Sequence, residues 1–88
     1  MYLTAIDVTA TGKNIERLLR ERGITVTELT CRMGFATTNA VYKWIRGETM
    51  PTLDNLVNLS RILGISMDAI IIVQENDCFP DDSRSVDT

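Results

Sequence analysis

Eighty-eight residues with 44% hydrophobic content and a mean hydropathy near zero suit one small domain with a single core, too short for a catalytic domain joined to a regulatory one. The formal net charge of −3 argues at first sight against a polyanionic partner, but the charge is unevenly spread: residues 12–64 carry eight Lys/Arg against five Asp/Glu, and residues 65–88 one Arg against six acids. The two cysteines, Cys31 and Cys78, lie far apart in a chain without histidine, which excludes an ordinary zinc site and leaves two free thiols, one in a helix and one in a loose tail.

In chain order, Tyr2 to Val8 alternates imperfectly and holds β-branched residues, as a short strand would, and Ile70 to Gln74 (IIIVQ) is the other strand-like stretch. Two arrangements remain open: the stretches pair into a ribbon closing the ends of the domain, or the last helix continues through Ile71 and the N-terminus is an arm. The first helix is expected from Lys13 to Arg22, with Ile15, Leu18 and Leu19 as its buried stripe and Gly23 as its stop. Thr25 and Glu28 form a T-x-x-E capping box opening a second helix whose inward face is Val26, Leu29 and Met33.

Gly34 to Thr37 then reads as the turn of a helix-turn-helix, with Thr37 capping a third helix that turns Val41, Trp44 and Ile45 inward. Gly47 stops that helix, and Pro51-Thr52 restarts the chain into a fourth with Leu53, Leu56, Val57 and Leu63 at helical spacing. Gly64 closes it, and Ser66 begins a short fifth helix through Met67, Asp68 and Ala69. The polar, acidic remainder is expected to be disordered. The divisions are thus an arm or strand over 1–10, a helix-turn-helix domain over 11–75, and an acidic tail over 76–88.

If Val41, Trp44 and Ile45 face inward, Thr38, Asn39, Tyr42, Lys43 and Arg46 are left on the outer and flanking surface of the third helix. Those types suit the reading of a DNA major groove: Asn binds adenine N6 and N7 bidentately, Thr offers a hydroxyl and a methyl, Lys and Arg reach guanine or phosphate. Any exposed helix face is polar, so it is the order of the surrounding helices that favours DNA. Thr25 and Thr37, at helix N-termini, are placed to meet phosphates, although capping alone accounts for both. Lys13 and Arg17 are candidates for the backbone, or else a solvated helix face.

Trp44, in phase with Val41 and Ile45, reads as core and not as a stacking platform. No nucleophile and base pair, Gly-rich phosphate loop or metal-ligand cluster is visible, so no catalytic residue, cofactor or metal is expected and enzymatic activity is not the reading. No apolar run approaches the roughly 20 residues needed to cross a bilayer. The opening MYLTAIDVTA also lacks the basic flank and long apolar stretch of a secretory signal, so a cytoplasmic location with no membrane partner is expected.

Together, the TVTEL opening of the second helix, the MGF turn, NAVYKWIRGETMPTLDNL and the LSRILGISMDAII ending resemble the Cro/lambda-repressor-like (XRE-type) helix-turn-helix domains over roughly Lys13 to Ile71. The family's spacing of an aliphatic residue, Trp, Gly, Pro and Leu is met by Val41, Trp44, Gly47, Pro51 and Leu53. More narrowly, the chain is similar to the small XRE-type regulators common in Gram-positive bacteria. The resemblance implies an all-α bundle of five helices whose third helix reads double-stranded operator DNA, in a transcriptional regulator, a repressor by expectation, that binds as a homodimer.

The chain departs from that pattern in three places. The turn between the second and third helices is one residue longer than in the commonest members, Val26 stands where many place a phosphate-binding glutamine, and Leu19 and Ile45 replace an Arg–Glu pair and are expected to touch. A protein-binding module using the same fold, such as an antitoxin-like or anti-repressor partner, is the alternative function, because fold alone does not settle function.

Overall fold

The computed structural model describes residues 3–76, which form β1 (Leu3–Ile6), α1 (Val8–Arg22), α2 (Val26–Met33), α3 (Asn39–Ile45), α4 (Leu53–Leu63), α5 (Met67–Ile70) and β2 (Val73–Asn76). The expected tail beyond Asn76, with Cys78, lies outside the described residues. Ile15, Leu18, Leu19, Leu29, Val41, Trp44, Leu56, Leu59, Leu63 and Ile70 make one buried core drawn from all five helices. Each such side chain contributes about 1.5–3 kcal/mol when taken fully out of water.

Of the two arrangements open for the chain ends, the ribbon is the one formed. β1 and β2 pair antiparallel with Ile6 opposite Val73 and Leu3 opposite Asn76, so the second strand starts three residues later than expected, and Asn76 belongs to it and not to the tail. The ribbon is fastened to α1 by Thr11, whose buried Oγ1 donates to the Ile72 carbonyl at 3.4 Å and accepts from its N–H at 2.9 Å. Asn14 extends the attachment by donating Nδ2 to the carbonyls of Ala69 and Ile70, both at 2.9 Å, which satisfies the open C-terminal end of α5.

Helix α1 corrects the expected boundary at Lys13: it begins at Val8, five residues earlier, so the division at residue 10 falls within it. Asp7 supplies the cap, its Oδ1 accepting from Ala10 N–H at 2.9 Å. Gly12, just ahead of the expected start at Lys13, lies inside the helix, buried against the backbone of α3.

Only half of the expected capping box on α2 forms. Thr25 Oγ1 accepts from Glu28 N–H at 3.0 Å, while the Glu28 carboxylate turns to Arg32 one helical turn on, at 2.7 Å. On α4 the expected stripe is also corrected: Leu53, its first residue, is 71% exposed, and the buried row is Leu56, Leu59 and Leu63. Thr52 caps this helix through Asn55 N–H, and Ser66 caps α5 through Ala69 N–H. Arg22 Nε donates to the Leu63 carbonyl at 2.8 Å and so ties the end of α1 to the end of α4.

Candidate nucleic-acid interface

The link between α2 and α3 runs from Gly34 to Thr38. Gly34, at φ 79°, occupies the left-handed region open to glycine, and the N–H groups of Gly34 and Phe35 close the end of α2 on the carbonyls of Cys31 and Thr30. Phe35 then meets Trp44 edge to face, with ring centroids 5.8 Å apart, so the link is pinned to the inner side of α3. The expected cap at Thr37 shifts by one residue. Thr38 holds the capping position without a side-chain bond, and Thr37 Oγ1 accepts instead from Asn39 N–H at 3.3 Å.

From the other side, α3 is set by close backbone approach to α1. A Cβ at Gly12 would lie 2.1 Å from the Trp44 carbonyl oxygen, and one at Gly47 would lie 2.9 Å from the Thr9 Cα. Gly47 also sits at φ 78°, so both its conformation and its contact demand a residue without a side chain. Val41 and Trp44 are thereby buried, and Ile45 is partly buried against the same core.

Asn39, Tyr42, Lys43 and Arg46 project from the opposite side of α3 as an exposed ridge, with Thr37 exposed and Thr38 half-buried at its leading end. Tyr42 is 44% exposed and also lines a concavity with Glu16, Leu19, Arg20, Ile24, Thr25, Val26 and Ile45. Leu19 and Ile45, expected to touch, thus share one concave surface between α1 and α3. Thr25 lies at its rim, at the N-terminus of α2.

Charge is not evenly available on this surface. Arg46 Nε donates to Glu48 Oε2 at 2.6 Å, and that hydrogen bond is the main reason the Glu48 carboxyl is held below its ordinary range, with the nearby charges of Arg46 and Lys43 adding to it. Lys13, Arg20 and Lys43 make no ion pair among the described residues. Arg17 is committed on both sides, Nη1 to Glu21 and Nη2 to the Asn14 oxygen, each at 2.6 Å, which draws it to the side of α1 that holds the ribbon. The structure therefore brings Thr25 and Tyr42 to one concavity and leaves Arg17 apart.

Sequence reasoning passed over Arg20 and Glu48. Arg20 was legible from spacing, since Gly12, Glu16 and Arg20 recur every fourth residue along the α3-facing side of α1. Among the described residues no helix is long and apolar enough to cross a membrane, and no cluster of three or more His, Cys, Asp or Glu side chains gathers as a metal would require.

The Helix-turn-helix family profile matches residues 15–70. The fold is similar to that of the restriction-modification controller protein C.AhdI from Aeromonas hydrophila, at 22% identity over 73% of this chain and 96% of that one, with a TM-score of 0.66. It is also similar to the DNA-binding domain of BldD, at 13% identity over 75% of this chain and 94% of that one, with a TM-score of 0.64. A third similar structure is apo-HppE, at 22% identity and a TM-score of 0.68, where the likeness covers 75% of this chain and 36% of that one. No curated protein sequence matches the chain. At these identities the structural likenesses speak for the fold alone.

Proposed function

The chain belongs to the helix-turn-helix family, of the XRE/Cro type, and from that premise we propose that it is a cytoplasmic, sequence-specific DNA-binding regulator that lays α3 in the major groove of an operator. The observation that carries the reading is the two-sidedness of α3: Val41 and Trp44 are buried, and Asn39, Tyr42, Lys43 and Arg46 stand out on the other side. Asn39 is assigned to a base edge and Lys43 and Arg46 to guanine or phosphate. Thr37 and Thr38 lie at the leading end of the ridge and Thr25 shares the concavity with Tyr42; these three and Lys13, exposed on α1, are assigned to the DNA backbone, together with Arg17 if it exchanges Glu21 for a phosphate.

Repression is the proposed direction of control, because occupying a duplex is enough to exclude a competing protein. Binding as a two-fold dimer is proposed as well, through the ribbon, where Ile6 and Val73 face each other at 47% and 50% exposure. The binding unit is taken to include the whole of α1, since the residues that set α3 begin at Thr9.

Band shifts with a site selected from random DNA and with a scrambled duplex test the reading. Asn39→Ala lowers the preference for the selected site by the roughly 1–3 kcal/mol of a good base contact, while Lys43→Ala weakens binding to all sequences alike. Unchanged affinities in both variants refute the placement of the ridge.

A further inference from the structure

The end of α3 carries a carboxylate where a DNA-binding surface gains most from cations. Glu48 follows Gly47, its backbone N–H is bonded to the Lys43 carbonyl at 2.9 Å, and its side chain takes Arg46 Nε at 2.6 Å, so it is anchored at the end of α3 with its carboxylate on Arg46 and near the Lys43 charge. Half of that side chain remains exposed, so its charge is open to solvent beside Arg46. Bonding through Nε leaves the two terminal nitrogens of Arg46 without a bond among the described residues.

This arrangement acts differently on the two kinds of DNA contact. Attraction to phosphates is independent of sequence and supplies nearly all non-specific binding, so a fixed negative charge beside Lys43 and Arg46 subtracts from affinity for every duplex. A base-edge hydrogen bond from the free end of the Arg46 fork is short-ranged and directional, and it survives the presence of a carboxylate behind it. A penalty common to every duplex cancels from the ratio of affinities, so discrimination comes from the orientation that the Nε bond imposes on the Arg46 fork, which only a correctly placed base edge rewards.

Resting on the DNA-binding reading above, we infer that Glu48 is a specificity-determining residue, which holds Arg46 from behind and suppresses binding to non-operator DNA. The test measures wild-type, Glu48→Gln and Asp68→Asn proteins against the selected site and the scrambled duplex over a range of salt. Asp68→Asn makes the same change in net charge on α5, away from the ridge.

Glu48→Gln is expected to bind scrambled DNA roughly threefold or more tightly at low salt, with a salt slope steeper by up to about 1 and a smaller ratio of selected-site to scrambled affinity. Asp68→Asn is expected to leave that ratio at the wild-type value. Glu48→Gln binding scrambled DNA no more tightly, tightening both duplexes equally, or being matched by Asp68→Asn would each overturn the inference. Failure of the DNA-binding reading is told apart beforehand, because the wild-type protein would then show no salt-dependent affinity for either duplex.

Discussion

Replacing Gly12 by alanine separates helix propensity from tertiary contact, because the two act in opposite directions. Inside a helix, Gly→Ala is ordinarily stabilising by about 1 kcal/mol. At residue 12 the added methyl would lie 2.1 Å from the Trp44 carbonyl oxygen and 2.8 Å from that of Ile45, where ordinary contact begins at 3.4 Å. The obstacle is backbone and cannot rotate aside, so α3 must withdraw from α1 by about 1.3 Å, the difference between 3.4 and 2.1 Å. Overpacking of this kind costs about 1–3 kcal/mol, and rigid neighbours favour the upper end.

The net effect is a loss of about 1–2 kcal/mol, which lowers Tm by roughly 4–8 °C per kcal/mol in a domain of this size. Thermal unfolding followed by circular dichroism measures that loss. Amide chemical shifts are expected to move mainly in Val41 to Gly47, and selected-site affinity to fall more than scrambled affinity, because base contacts tolerate only about 0.5 Å of misplacement. A Gly12→Ala protein that melts higher than wild type, with α3 amides unmoved, would refute the close approach of the two backbones.

Leu59→Ala is expected to cost about 2–5 kcal/mol by denaturant unfolding, and Leu53→Ala within about 0.5 kcal/mol of nothing, since only Leu59 is buried; equal losses would contradict the corrected stripe of α4. Thr11→Val strips the Ile72 N–H of its acceptor, for a loss of about 1–3 kcal/mol, and hydrogen exchange should quicken in the ribbon before it does in α2 and α3. The Glu48 carboxyl should titrate below its ordinary 4.5 by NMR and return toward it in Arg46→Gln. Because its folded value is lowered, whatever stability the pair contributes is complete above the ordinary value and disappears as pH falls through the lowered one. An unmoved midpoint in Arg46→Gln would show that the hydrogen bond is not its cause.

Much of the fold was legible because helix ends carry local chemistry. Gly23, Gly64, Thr52 and Ser66 each mark a boundary that the structure keeps, and each acts through a backbone group within a few residues. What was not legible depended on partners distant in sequence or on competition between near ones. Gly12 falls outside the helix expected from Lys13, and only the packing of α3 on it shows why α1 carries a glycine there. The T-x-x-E pattern at Thr25 cannot show that Arg32 will take the Glu28 carboxylate first. Spacing places Leu53 in line with Leu56, but only the packing of α4 shows that its first turn has nothing to cover it.

The outer face of α3 followed from the phase of Val41 and Trp44, so the ridge could be drawn from sequence. Its electrostatics could not. Counting charges gives a basic surplus over residues 12–64 without showing that Glu48 engages Arg46 or that Arg17 is drawn to Asn14 and Glu21.

Helix α1 links the ridge to the ribbon. Thr9 and Gly12 set α3 on one side of it, while Thr11 and Asn14 hold the ribbon and the end of α5 on another. Residues three apart share a helix face and adjacent ones do not, so a single rigid helix fixes the distance between the two surfaces. In the proposed dimer, pairing through the ribbon would therefore fix the separation of the two α3 helices, which must match half-sites about 34 Å apart. Thr11→Val loosens the ribbon without touching α3, so it should weaken binding to a two-half-site operator much more than binding to a single half-site. Equal weakening on both would mean that the ribbon has no part in spacing the two readers.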